Sequence, residues 1–173
     1  MNQQSVLPIN PWKVRRRLSK VLAAMGQKGA GVSILITQDE EIKGLNRDFR
    51  GLNKSTNVLA FPDTDLAKGF KGHLGDIAIS AETILREAQE RKTLDSSQYE
   101  SLSPDSLGSS GKPGSSGSPD SHSWPSEPGQ LMYFYLIHAL LHLVGYDHEL
   151  GPSEEKRQNK ETVRLLSLIK LDL

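Results

Sequence analysis

Residues 31–49 read GVSILITQDEEIKGLNRDF, and a change of period inside this stretch decides the fold class. From Gly31 to Thr37, Val32, Ile34 and Ile36 alternate with other side chains in a β-branched run, the period-two pattern of a strand with a well-buried face. From Asp39 the period lengthens. Ile42, Leu45 and Phe49 recur at helical spacing, and Asp39, Glu40 and Glu41 fill the first turn, where negative charge complements the helix dipole. A strand that runs into a helix and on to another strand predicts a right-handed crossover.

Working outward, Val6 to Ile9 reads as a short strand, and Pro11 to Met25 as a helix with Val14, Leu18, Val21, Leu22 and Met25 on one stripe. Pro11 suits a first turn and Gly26 a stop. The opposite face carries Lys13, Arg15, Arg16, Arg17 and Lys20, which by residue type alone reads as a solvated face before a phosphate-binding one. On the other side, Asn57 to Phe61 and His73 to Ser80 predict two strands. Ala81 to Lys92 predicts a helix capped by Ser80, with Ile84, Leu85 and Ala88 inward. Gln130 to Val144 predicts a strongly apolar helix. Ser153 to Ile169 predicts an amphipathic one that buries Val163, Leu166 and Ile169. The class is α+β: a small mixed sheet of about four strands packed with helices.

A chain of 173 residues fits one domain spanning 1–173. Composition collapses at about 93–129: from Ser101 to Gly129, 21 of 29 residues are serine, glycine or proline, too few apolar groups to offset ordering entropy, so the segment reads as a disordered insertion. Formal charge is zero, yet residues 1–60 hold ten basic and four acidic side chains, or +6, and the remainder −6. The chain has no cysteine, which excludes disulfides, a thiolate nucleophile and sulfur-ligated metal. The start, MNQQSVLPINP, lacks a secretory pattern. Leu131 to Tyr146 is too short to span a bilayer comfortably and holds two histidines, so no membrane role and a cytoplasmic location are expected.

Three of the five histidines fall in the run HALLHLVGYDH at 138–148. Four residues apart on a helix, His138 and His142 stack on one face. Gly145 then permits a left-handed turn that can return His148 toward them. Three imidazoles suit one zinc ion, and three protein ligands leave its fourth position open, the pattern of a catalytic site at a helix end. The same spacing occurs in metzincin proteases, but their glutamate base is replaced here by Ala139. Three neutral ligands leave the ion its full positive charge, which favours an anionic substrate such as a phosphodiester. A structural zinc would need a fourth ligand, for which His73 and His122 remain in the sequence.

This histidine run resembles the signature of the YbeY family of bacterial endoribonucleases and rRNA maturation factors. Three further blocks are similar to that family in the same order: LNRDFRG at 45–51, TNVLAFP at 56–62 and LGDIAIS at 74–80. The resemblance covers nearly everything outside the insertion. It implies a single-strand-specific, zinc-dependent endoribonuclease that matures the 3′ end of 16S rRNA and serves late ribosome quality control. Single-stranded rRNA and the ribosome or its small subunit would be the partners. The metal ligands it implies are His138, His142 and His148, and its functional arginine falls on Arg50, where a guanidinium would contact phosphate. Without the resemblance, Arg50 reads as a surface ion-pair residue. Ala139 stands for the family's usual glycine, Ser55 for a common proline and Asn57 for a common aspartate, and none of these removes a ligand. The alternative is a non-catalytic assembly factor with a structural zinc.

Overall fold

A computed structural model describes residues 6–63, 72–93, 127–147 and 151–169. Most of the predicted insertion lies outside the described residues, as do His122 and His148. The elements run α1 Pro11–Ala24, β1 Gly31–Thr37, α2 Asp39–Arg50, β2 Val58–Pro62, β3 His73–Ser80, α3 Ala81–Thr93, α4 Pro128–Leu143 and α5 Pro152–Leu168. The class is α+β, with a mixed sheet of three strands in the order β1-β3-β2 among the described residues.

Two sequence expectations change here. The sheet has three strands rather than about four, because Val6–Ile9 is not a strand. Pro8 has no N–H to give a ladder, and Leu7 and Ile9 pack on the core without one. The crossover also lands elsewhere. β1 pairs in parallel with β3, while β2 pairs antiparallel with β3, so β2 opposes β1 in direction and is not its neighbour. β3 takes the centre because Ile77, Ala78 and Ile79 are all buried, and only a central strand covers both of its faces.

The two faces are covered by different layers. Ile42 of α2 packs with Leu59 and Ala78 on one side. Ile36, Ile77 and Ile79 face α1, α3, α4 and α5 on the other, in the main core. Twelve of the sixteen residues of α4 are buried, which makes it the central helix, its Leu, Ile and Phe side chains contributing roughly 1.5–3 kcal/mol each on full burial. On α5 the inward residues are Gln158, Thr162 and Leu165, with Ile169 just beyond the helix; Val163, expected inside, is exposed. The stripe is rotated because two polar residues occupy buried positions, which a count of apolar side chains overlooks.

Local devices hold these pieces in register. Gly75, at φ 138°, sits at a bulge of β3, where a Cβ would lie 2.2 Å from the Phe61 carbonyl oxygen. Asp39 ties the starts of α2 and α3 together: its carboxylate accepts from Ser80, Thr83 and Arg86, and its own N–H donates to Glu82. Burial alone would raise the Asp39 pKa, but these hydrogen bonds and the Arg86 charge outweigh it and hold the carboxyl below its usual range.

Candidate metal centre

His138 and His142 lie one turn apart on α4, as their spacing predicts, with ring centroids 4.8 Å apart and Nε2 atoms 3.2 Å apart. His138 is buried and His142 is half-buried. Phe134, one turn earlier, stacks on the His138 ring at 6.3 Å and 20°. The helix ends just beyond the pair. The Gly145 N–H donates to the His142 carbonyl and that of Tyr146 to the Leu141 carbonyl, with Gly145 at φ 95° reversing the chain. Tyr146 then lies under the Arg157 guanidinium of α5, 4.9 Å from ring centroid to charge.

α5 delivers a residue that sequence reasoning missed. Gln158 is 1% exposed, and its amide nitrogen lies 3.2 Å from both His138 Nδ1 and His142 Nε2. Its amide oxygen is buried without a hydrogen-bond partner among the described residues. The signal was present: Gln158, Thr162, Leu165 and Ile169 follow helical spacing, so a glutamine on that stripe must find a polar partner inside.

Two neutral imidazole nitrogens 3.2 Å apart repel unless a proton or a cation lies between their lone pairs. Zinc–nitrogen bonds of about 2.0–2.1 Å at a tetrahedral angle put two ligand nitrogens about 3.3–3.4 Å apart, so the pair fits a shared ion. Histidine and not carboxylate donors also suit zinc over magnesium or calcium. Among the described residues no third histidine or carboxylate completes a group around the pair. The third predicted ligand, His148, lies outside the described residues. His73 belongs to another locus, its Nε2 3.3 Å from the Asp76 carboxylate.

Arg50 is the exposed last residue of α2, in the layer across the sheet from α4. Its surroundings are ordered by neighbours. Gly51, at φ 72°, closes the helix; the Asn46 amide donates to the Lys54 carbonyl at 2.8 Å; and the Phe49 ring meets Phe61 edge-on at 5.1 Å.

Near the pair runs a buried polar chain. Tyr135, three residues before His138, donates to the Glu87 carboxylate at 2.6 Å, and the Asn57 amide lies 3.3 Å from its other oxygen. Burial pushes the Glu87 pKa up, against the pull of the Tyr135 and Asn57 donors and the Arg91 charge. Burial and the neighbouring Glu87 likewise push the Tyr135 hydroxyl up, so it serves as a donor throughout the neutral range.

A family model described as Endoribonuclease YbeY matches residues 1–102 and 121–170 of the chain. A protein named Endoribonuclease YbeY from Chloroflexus aurantiacus is 32% identical over 165 residues, covering 91% of this chain and 86% of its own. One of the same name from Aquifex aeolicus is 33% identical over 145 residues, covering 84% and 74%. A solution structure of a Thermotoga maritima protein superposes with a TM-score of 0.55 at 19% identity, covering 91% of this chain and 79% of that one, a likeness of fold.

Proposed function

The chain belongs to the YbeY family, and from that premise we propose that it is a zinc-dependent endoribonuclease specific for single-stranded RNA, acting in maturation of the 3′ end of 16S rRNA and in late ribosome quality control. The observation that carries the metal reading is the His138–His142 pair, whose facing Nε2 atoms have the spacing of two ligands to one ion. His148 would supply the third nitrogen. A zinc ion held there supplies a Lewis acid for a phosphodiester oxygen and activates water at neutral pH.

The chain's own residues set the conditions for that chemistry. Phe134 and the apolar body of α4 keep His138 out of solvent. Gln158 holds the two rings from the opposite helix. Arg50 would orient a phosphate, its guanidinium matching two oxygens at once. Among the described residues no helix is long and apolar enough to cross a membrane.

The test is incubation of zinc-loaded protein with single- and double-stranded RNA beside a His142→Ala control. Zinc-dependent cleavage of the single strand, absent in His142→Ala, is the expected result. Full zinc occupancy with no cleavage by the wild type would refute the nuclease reading and favour a ribosome-assembly factor whose zinc is structural.

A further inference from the structure

α1 bears five cations in fourteen residues and no acid, four of them on its outer face. Lys13, Arg15, Arg16 and Lys20 are exposed, and none makes an ion pair among the described residues. Folding gives no reason for this arrangement. The cations begin in the first turn, where the helix dipole disfavours them, and like charges three and four apart repel by roughly 0.2–0.5 kcal/mol per pair. The carboxyl end of α1, where a cation is favourable, is instead approached by Arg164 of α5, whose Nη2 lies 3.5 Å from the Ala24 carbonyl oxygen.

An aromatic ring stands among these charges. Trp12 is 78% exposed and contributes nothing to the core, while the Arg15 guanidinium lies 6.0 Å from its ring centroid. Trp12, Arg15, Arg16 and Ser19 share one helical face. Asn10, Trp12, Lys13, Arg15, Arg16 and Ser19 form one contiguous exposed patch along it. The Asn10 side chain fixes this end of the helix by accepting from the Trp12 and Lys13 N–H groups.

We infer that this face of α1 is a docking surface for single-stranded RNA outside the histidine centre, with Trp12 stacking an unpaired base and Arg15, Arg16 and Lys13 meeting phosphates. Cations without acidic partners complement a polyanion, and an exposed indole beside them offers a stacking surface that only an unpaired base can use. The platform is anchored to the helix that bears the histidines. Arg17 donates to the Tyr133 hydroxyl at 3.2 Å and lies 5.1 Å from that ring's centroid, and Tyr133 precedes His138 by five residues, about 7.5 Å along α4.

The inference rests on the proposed RNA substrate but not on cleavage or metal, so the test separates them. Binding of a fluorescein-labelled single-stranded oligouridylate is measured by anisotropy with EDTA present, for wild type, Trp12→Ala, Trp12→Phe and Arg15→Ala/Arg16→Ala. All altered α1 residues are exposed, and circular dichroism verifies the fold. Trp12→Ala is expected to weaken binding on the order of tenfold, and Trp12→Phe to restore part of it. The double arginine variant should reduce the slope of log affinity against log salt by about 1.4, two phosphate contacts on a single strand. Normal binding with no cleavage would defeat the nuclease reading and leave the docking surface standing. Unchanged affinity and salt slope in both α1 variants overturns the inference, the result expected if the face serves an acidic protein or a membrane instead.

Discussion

Gln158 sets what His138 can be. A neutral imidazole that ligates through Nε2 must carry its proton on Nδ1, and the group 3.2 Å from that Nδ1 is the Gln158 carboxamide. Turned over from the orientation in the structure, which sets its nitrogen at the ring, the carboxamide would accept that proton through its oxygen and hold the ligating tautomer. Gln158→Leu should therefore weaken zinc binding by about tenfold to a hundredfold while Gln158→Glu retains it, read by competition with a chromophoric chelator. Wild-type affinity in the leucine variant would refute the role. Arg50 separates from this centre. Exposed at a glycine-capped helix end, it can be changed without touching the core, so Arg50→Ala should keep its fold and zinc. If it holds phosphate, single-turnover RNA cleavage should fall on the order of a hundredfold, with Arg50→Lys restoring little because lysine lacks the two-pronged fork. Asn57 gives a third test. Its amide lies within hydrogen-bonding distance of Glu87, which an aspartate there could not donate to, and a second carboxylate would repel the first. The folded Glu87 pKa already exceeds its ordinary 4.5, so protonation favours the folded state below that value and the benefit is lost as pH rises through the folded pKa. Asn57→Asp should steepen that loss, costing about 1–3 kcal/mol in urea melts at pH 7 and less at pH 4.5.

At the scale of elements, the most exacting position is Gly75. Its φ of 138° disfavours any side chain, and a Cβ 2.2 Å from the Phe61 oxygen would force β2 and β3 apart. Gly75→Ala should cost more than about 3 kcal/mol and lower the melting temperature by at least about 6–12 °C. A shift within 2 °C would show that the bulge can move. The elements that proved legible in the sequence share a cause. β1 and β3 are runs of β-branched and apolar residues with sharp ends, Asp39 and Ala81 open helices directly after them, and each boundary rests on local chemistry. What escaped depends on distant neighbours. Strand order is invisible in β2 itself, because its place beside β3 follows from which strand can be buried on both faces. α4, buried nearly all round, has no stripe to orient, so its histidines could be paired by their four-residue spacing while the helix facing them could not be named. The face of α5 was misjudged for the complementary reason: Gln158 and Thr162 are polar and nevertheless inside.

At the scale of the whole molecule, the end of α3 and the start of α4, far apart in sequence, adjoin in the fold. Lys92, at the end of α3, pairs with Glu127, the residue before α4, at 2.9 Å. The Glu127 carbonyl also accepts the Leu131 N–H, so both sides of this junction belong to the fold. Closing it therefore needs only a short span of chain. The sequence between is dominated by serine, glycine and proline and supplies few apolar groups. The entropy of closing a flexible loop grows as the logarithm of its length, so replacing residues 94–126 with about eight glycine and serine residues should reduce that cost by about 1 kcal/mol. Glu127 must stay, since removing it would take away the Lys92 partner and the first helical acceptor together. The expected outcome is a melting temperature equal to that of the full chain or a few degrees higher, with zinc stoichiometry unchanged. A fall of 5 °C or more would mean that the replaced segment packs on the domain. Retained stability with lost RNA cleavage would assign the segment to substrate handling, because the fold and the metal ligands are then both accounted for without it.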